Sequence, residues 1–386
     1  MRSDTVDHKI KIEEDLSKTS RLSNLNSIPV RTWSRLGVND ISVDEVLQDG
    51  SVKYPLVLPR QKKENRLASF TAMSGEVSEN SLWKSFSYEG VGRKASTQVL
   101  EQYNTGFYLE TKPGEKGTDP VRINYFLEEG MPVIDNNAIL VKAGSEVTII
   151  VDYESRDGRK GFHNGLTRIY CEKDAILNYI VIQKLSEEST HLGACAAKLE
   201  ENARINYILV ELGAKYGVTN VQADLQGKQS EANLHTVYLG DKDRVIDMNY
   251  RINHYGRETR SGIEAKGILL DRCNKIFKGT IDFKKGAVKA VGEEEEYAVL
   301  LSDEVRNRSV PILLCTEEDV SGQHAASAGK IDKNRLFYLM TRGFSEAEAR
   351  RLIIEAAIRP MIDRIPERSI QAAVYEEIRR KLRNEQ

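Results

Sequence analysis

Two stretches of the chain, AILNYIVI at Ala175–Ile182 and ARINYILV at Ala203–Val210, align residue for residue at an offset of 28. Glu172 and Glu200 share that offset, and Val147 stands 30 residues before Leu177. A weaker third copy, Ala232–Gly240, lies 29 residues after Ala203. Short β-branched segments recurring at this period without a regular helix predict a solenoid of strands. One coil cannot bury its own inner face, so coils stack and share a continuous Ile/Leu/Val core. Asn178 and Asn206 then either stack as a ladder or sit exposed between inward residues. An antiparallel sandwich, with strands every ~8–12 residues, is the competing architecture; the 28-residue matches favour the solenoid.

The same strand signature begins near Ser96, with Val121–Leu127 and Glu146–Tyr153, and runs to about Cys315. Three regions follow: residues 1–95, a small helical or irregular domain that opens on a polar arm; 96–318, the β-solenoid; and 319–386, helical. In the tail, Leu336–Leu339 reads as helix and stops at Arg342-Gly343. Ser345 and Glu348 form a capping box for the next helix, which Pro360 should kink or end. Pro366 opens a last helix whose Ile370, Val374, Ile378 and Leu382 recur every four residues. That stripe either packs on its own domain or docks a partner. A solenoid needs something over its open coil, and the helical tail is the natural cap.

Net charge is −2, which gives no overall field for nucleic acid or anionic lipid. No apolar run approaches the ~20 residues of a membrane helix, and MRSDTVDHKIKIEEDL lacks the apolar core of a secretory signal. A cytoplasmic protein is expected. The four cysteines, Cys171, Cys195, Cys273 and Cys315, are too scattered for a zinc site or redox pair; they read as free thiols, most of them buried. There is no G-x-x-x-x-G-K-[ST] run, so no ATP is expected through a P-loop, and no G-x-G-x-x-G, G-x-S-x-G or H-E-x-x-H.

His163 and His191 read as structural or solvated, and His235 and His254 as satisfied strand histidines. The run Glu293–Glu296 reads as a solvated turn; on a β-coil its alternate carboxylates would share a face and attract a cation or a basic partner. Cys315 and His324 remain. Cys315 closes the apolar strand Val310–Leu314 and reads as buried. His324 follows in a Gly/Ser/Ala-rich loop. Imidazole and thiolate suit iron or zinc, but one pair cannot close a site, so other ligands would come from another chain.

The segments VPILLCTEEDV (Val310–Val320), GQHAASAGKID (Gly322–Asp332) and LFYLMTRG (Leu336–Gly343), with LLSD at Leu300–Asp303, resemble the SufB/SufD family of iron–sulfur cluster assembly proteins, SufD more closely than SufB. Ile28–Asn39 resembles the start of some SufD-like proteins. The resemblance implies a right-handed parallel β-helix between an N-terminal and a helical C-terminal domain. It implies a non-enzymatic scaffold that pairs through its β-helix with SufB, or with itself, and docks the SufC ABC-type ATPase. Leu336, Phe337, Tyr338, Arg342, Ile353, Ile370, Val374 and Ile378 are the docking candidates. It further implies a transient iron–sulfur cluster or iron at a shared interface, no ATP on this chain, and an open question about a flavin.

His324 falls on the SufD histidine implicated in assembly at that interface, and Cys315 is a weaker thiol candidate. Val305 stands where SufB proteins carry a cysteine, Ala325 where SufB has a glutamate, and Gly322 where some SufD proteins have a cysteine. The ligand set is therefore half a site. The alternative is a β-helix enzyme acting on polysaccharide, which needs paired carboxylates; Asp224, Glu231 and Asp247 are its candidates.

Overall fold

The 28-residue offset is a hydrogen-bonding register. In the computed structural model, which describes residues 22–28, 36–39, 41–43, 50–55, 68–117 and 119–383, Ile176 pairs with Arg204 and Ile182 with Val210 on neighbouring parallel strands. Val147 pairs with Leu177 in the same way. The third repeat is shifted from the expected alignment: Ala232 pairs with Ile205, not Ala203, an offset of 27.

Among the described residues, seventeen strands form two sheets, nine and eight strands wide. In the first, β1 (Ala68–Ala72) pairs antiparallel with β2 (Phe107–Thr111). Then follow, all parallel, β4 (Val133–Val141), β6 (Phe162–Cys171), β8 (Thr190–Leu199), β10 (Tyr216–Leu225), β12 (Val245–His254), β14 (Asn274–Phe283) and β16 (Arg306–Cys315). The second stacks β3 (Val121–Leu127), β5 (Glu146–Ser155), β7 (Ile176–Lys184), β9 (Arg204–Glu211), β11 (Glu231–Gly240), β13 (Arg260–Leu269), β15 (Ala290–Leu300) and β17 (Val320–Lys330). The chain alternates between sheets, so each coil gives one strand to each: a parallel β-solenoid, as expected.

Side chains alternate by strand period. Inward positions such as Ile149, Leu177, Ile205 and Leu234 are at most 1% exposed and form one continuous core. Outward positions carry the ladder left open above: Asn206 donates to Asn178 Oδ1 at 2.9 Å, Asn233 to Asn206 Oδ1 at 3.2 Å, and Asn178 to Thr148 Oγ1 at 3.1 Å. One corner repeats as well. Gly114, Gly144, Asp174, Asn202, Gln229, Glu258 and Lys289 all have φ between 57° and 74°, one per coil. Each turn needs that left-handed residue, which Gly, Asn and Asp adopt most readily.

Both outer faces are covered. Leu22, Leu25, Ile28, Val38, Ile41 and Val43 lie on the first sheet against Leu192, Val218, Ile276 and Val310, beside α3 (Arg93–Gln102). Two short helices, α1 (Gly75–Ser78) and α2 (Ser81–Lys84), pack nearby through Trp83. The expected N-terminal arm lies outside the described residues up to position 21. At the other end come α4 (Lys333–Thr341), α5 (Glu346–Ile362) and α6 (Arg368–Arg383). The capping box at Ser345 and Glu348 forms, and α5 runs through Pro360 for two more residues rather than breaking there.

The tail does not cap the last coil. Ile354, Ile358, Met361, Val374 and Ile378 lie flat on the outer face of the second sheet, against Ile150, Ile180, Ile208 and Leu239. The solenoid also ends later than expected. Residues 320–330, read as a loop into the helical region, form β17, which pairs along its whole length with β15.

Candidate functional site

Among the described residues, the terminal coil, β16 and β17, has no coil above it. Register carries the inward face up the stack. Phe277, Ile281 and Phe283 point into the core from β14, so their partners Ser309, Leu313 and Cys315 are the inward set of β16. Ala290, Glu294 and Ala298 are buried inward residues of β15, so Val320, His324 and Ala328 are the inward set of β17. Cys315 and His324 thus sit on the two strands of one coil, facing its interior. Both are exposed, with nothing among the described residues stacked on them. This corrects the expectation that Cys315 is buried; its thiol donates to the Glu317 carbonyl at 2.9 Å. The other three cysteines are buried.

The acidic run Glu293–Glu296 is not a solvated turn but part of β15. Glu293 and Glu295 point out, while Glu294 and Glu296 point in, 3% and 1% exposed. Glu296 pairs with the fully buried Lys275 and accepts from Tyr238 Oη at 2.8 Å. Burial, with the neighbouring Glu296 charge next, pushes the Glu294 carboxyl up to about 8. Sequence reasoning did not single out Glu294. The signal was the alternation of carboxylates within a strand, legible only once the run is known to be β.

The departures from the SufB and SufD patterns have places in this geometry. Gly322 faces inward, and a Cβ there would meet Leu313 Cδ1 at 2.8 Å. Val305 packs against the core just before β16, and Ala325 is exposed on the outward face of β17, beside Glu295.

The docking candidates divide. Leu336 and Ile353 are half-buried. Phe337 and Tyr338 are 69% and 56% exposed, and Arg342 lies over the Tyr338 ring at 5.2 Å. Tyr338, Leu352 and Ile353 line a groove of about 980 Å³ with Lys330 and Tyr297 of the second sheet. Val374 and Ile378 are buried on the chain's own solenoid, with Ile370 packed beside them. Those three are corrected: their stripe is spent internally.

The carboxylates of the polysaccharide alternative do not converge. Asp224 lies on the first sheet, accepting from Asn253 at 2.7 Å, and Glu231 lies on the second, paired with Arg204. Asp247 is wholly buried against Lys278. The other histidines among the described residues have partners within the fold. His163 bonds Asp135 at 2.6 Å and stacks on His191 at 4.4 Å inside the solenoid, where burial holds His191 well below the usual range. His254 bonds Thr259 and Ser261, both at 2.8 Å. His235 faces Glu264 at 3.3 Å. Among the described residues no three His, Cys, Asp or Glu side chains converge as a metal site, and no helix is long and apolar enough to cross a membrane.

Residues 125–357 match the family profile described as the SUF system FeS cluster assembly, SufBD core domain. The chain is 27% identical over 283 residues to an iron–sulfur cluster assembly protein SufD of Bacillus subtilis, covering 72% of this chain and 65% of that protein. It is 26% identical over 377 residues to an iron–sulfur cluster assembly SufBD family protein of Pyrococcus horikoshii, covering 93% of this chain and 82% of the relative. A SufBD family protein of Staphylococcus saprophyticus matches at 25% over 246 residues, and there the chain spans about half the relative's length, 52%. The match covers most of the solenoid, its terminal coil with His324 and the helices α4 and much of α5, and the chain belongs to the SufBD family of iron–sulfur cluster assembly proteins, with a SufD-like sequence.

Proposed function

We propose that this chain is a scaffold subunit of cytoplasmic iron–sulfur cluster assembly, which presents its open terminal coil to a second SufBD-type solenoid and its helical groove to an ATPase. The observation that carries the reading is the pairing of an uncovered coil with an interior-facing histidine. A buried solenoid coil has no use for an exposed His324. A coil meant to be covered by another chain does.

Among the described residues, both terminal strands have one unpaired edge. From Val320 to Gly329, β17 carries no charged residue. Edge strands left alone in solution are usually guarded by charge, proline or a bulge, so this edge is fitted to pair. The partner is a SufB-like chain or a second copy. Nascent iron–sulfur cluster, or iron, is the cargo, and this chain offers it His324, with Cys315 on the same coil. Two donors leave coordination positions open, which a partner would fill.

The ATPase reading rests on α4 and α5. Phe337, Tyr338, Met340, Phe344 and Leu352 are all more than a third exposed along two consecutive helices and the turn between them, an apolar patch of the kind that marks a protein interface. The chain has no phosphate-binding loop of its own, and the ATP chemistry is assigned to the partner.

The test is co-expression with a SufB-like protein and a SufC-like ATPase, pull-down on this chain, and anaerobic iron and sulfide analysis. Co-purification and cluster formation are expected. His324→Ala should keep the fold and the partners and lose cluster formation; normal assembly by that variant would remove the histidine from the site.

A further inference from the structure

One rung beneath His324 lies a carboxyl without a partner. Glu294 of β15 is the register partner of His324 on β17, and parallel register places both on the same face, ~4.8 Å apart from strand to strand. Glu294 is 3% exposed, and neither of its carboxyl oxygens has a hydrogen-bond partner among the described residues. The side chain reaches across the interior to the opposite sheet. A Cβ placed on Gly279 of β14 would lie 2.1 Å from Glu294 Oε1, so the carboxyl occupies the space that this glycine leaves open.

The inward cation of β14 is already engaged. Lys275 pairs with Glu296 and donates to Ser309 Oγ at 3.1 Å. Of the two inward acids on β15, Glu296 holds this lysine and Glu294 does not. A carboxylate kept from water without a counter-charge is costly, and the layer above Glu294 is the open coil that carries His324.

We propose that Glu294 and His324 form the inner wall of a divalent-cation site at the mouth of the solenoid, which receives ferrous iron, the remaining ligands coming from the chain that covers the coil. The proposal rests on the assembly reading above and adds a protein ligand to it. A carboxylate and an imidazole suit Fe²⁺, Co²⁺ or Zn²⁺ rather than Mg²⁺ or Ca²⁺. The outward acids Glu293 and Glu295 take no part.

The experiment uses Co²⁺ as the probe, titrated anaerobically into the chain in its co-purified assembly and followed by the visible absorption of the bound ion. Glu294→Gln keeps size and shape, and Glu293→Gln controls for surface charge. Affinity should fall about tenfold or more in Glu294→Gln and in His324→Ala and stay unchanged in Glu293→Gln. A wild-type assembly with no saturable Co²⁺ band, or a Glu294→Gln assembly that binds as wild type does, overturns the inference. Cluster formation separates its failure from that of the reading beneath it. Loss in His324→Ala with neither cluster formation nor Co²⁺ affinity changed in Glu294→Gln removes Glu294 alone. Indifference to His324→Ala removes the assembly site itself.

Discussion

Asn206 donates its side-chain amide to Oδ1 of Asn178, one coil away, at 2.9 Å, and accepts at its own Oδ1 from Asn233 at 3.2 Å. Asn206, the middle amide of this column, is both donor and acceptor and so holds two neighbours. Asn206→Ala leaves Asn178 Oδ1 without its donor and the Asn233 amide with Glu231 alone. The positions are half-buried and water satisfies part of the loss. A destabilisation of about 1–2 kcal/mol is expected, read as a lower urea midpoint at unchanged slope.

Asn26 pins the N-terminal segment. Its Nδ2 donates to the backbone carbonyls of Thr219 and Asp247, both at 3.0 Å, and its carbonyl accepts from Lys278 Nζ at 2.8 Å. Lys278 also pairs with Asp247 at 2.9 Å, both wholly buried. Lys278→Met strands a buried carboxylate and should cost about 3–5 kcal/mol. Replacing both partners, with Asp247→Leu added, should recover much of it. Thermal unfolding of the two variants and the wild type checks the order: single variant lowest, double variant between or level with the wild type.

His254 gives the fold a pH dependence. It is buried, and that burial holds its imidazole down at about 4. The group is a base whose folded value lies below its ordinary 6.5. The neutral form is favoured by the fold, so its contribution is complete above pH 6.5 and is lost as pH falls from 6.5 towards 4. At ~1.4 kcal/mol per pKa unit the loss is about 3 kcal/mol. His254→Gln cannot take the proton, and its urea stability should be flatter than the wild type's across that range.

The coils were legible because inward and outward residues alternate in step from one repeat to the next. The same alternation explains the misplaced third copy. Aligning Ala232 with Ala203 rather than Ile205 is a slip of two residues, which leaves every side chain on its own face; only a slip of one would be visible in the pattern. β17 was missed for a different reason. Its Gly, Ala and Ser residues have little strand preference of their own, and β15 imposes the conformation by pairing. Cys315 looked buried from its apolar neighbours in sequence, but exposure at the end of a solenoid depends on the absence of a next coil. The α6 stripe announced that a face is covered, and a hydrophobic period cannot say by what.

That last ambiguity is resolved by exposure, and it yields a paired prediction. Ile378 is wholly buried against the solenoid, while Phe337 is 69% exposed on α4. Ile378→Ala opens a cavity between α6 and the second sheet and should cost about 2–5 kcal/mol. Phe337→Ala removes a side chain that touches mainly water and should change stability by less than about 0.5 kcal/mol. Their effects on partner binding should run the other way. In pull-downs with a SufC-like ATPase, Phe337→Ala should lose the partner and Ile378→Ala, assayed below its unfolding temperature, should retain it. If Ile378→Ala loses the ATPase while still folded and Phe337→Ala keeps it, the docking face is not the exposed patch of α4 and α5. The two variants separate a helix that holds the chain's own sheet from one that is free to hold another protein.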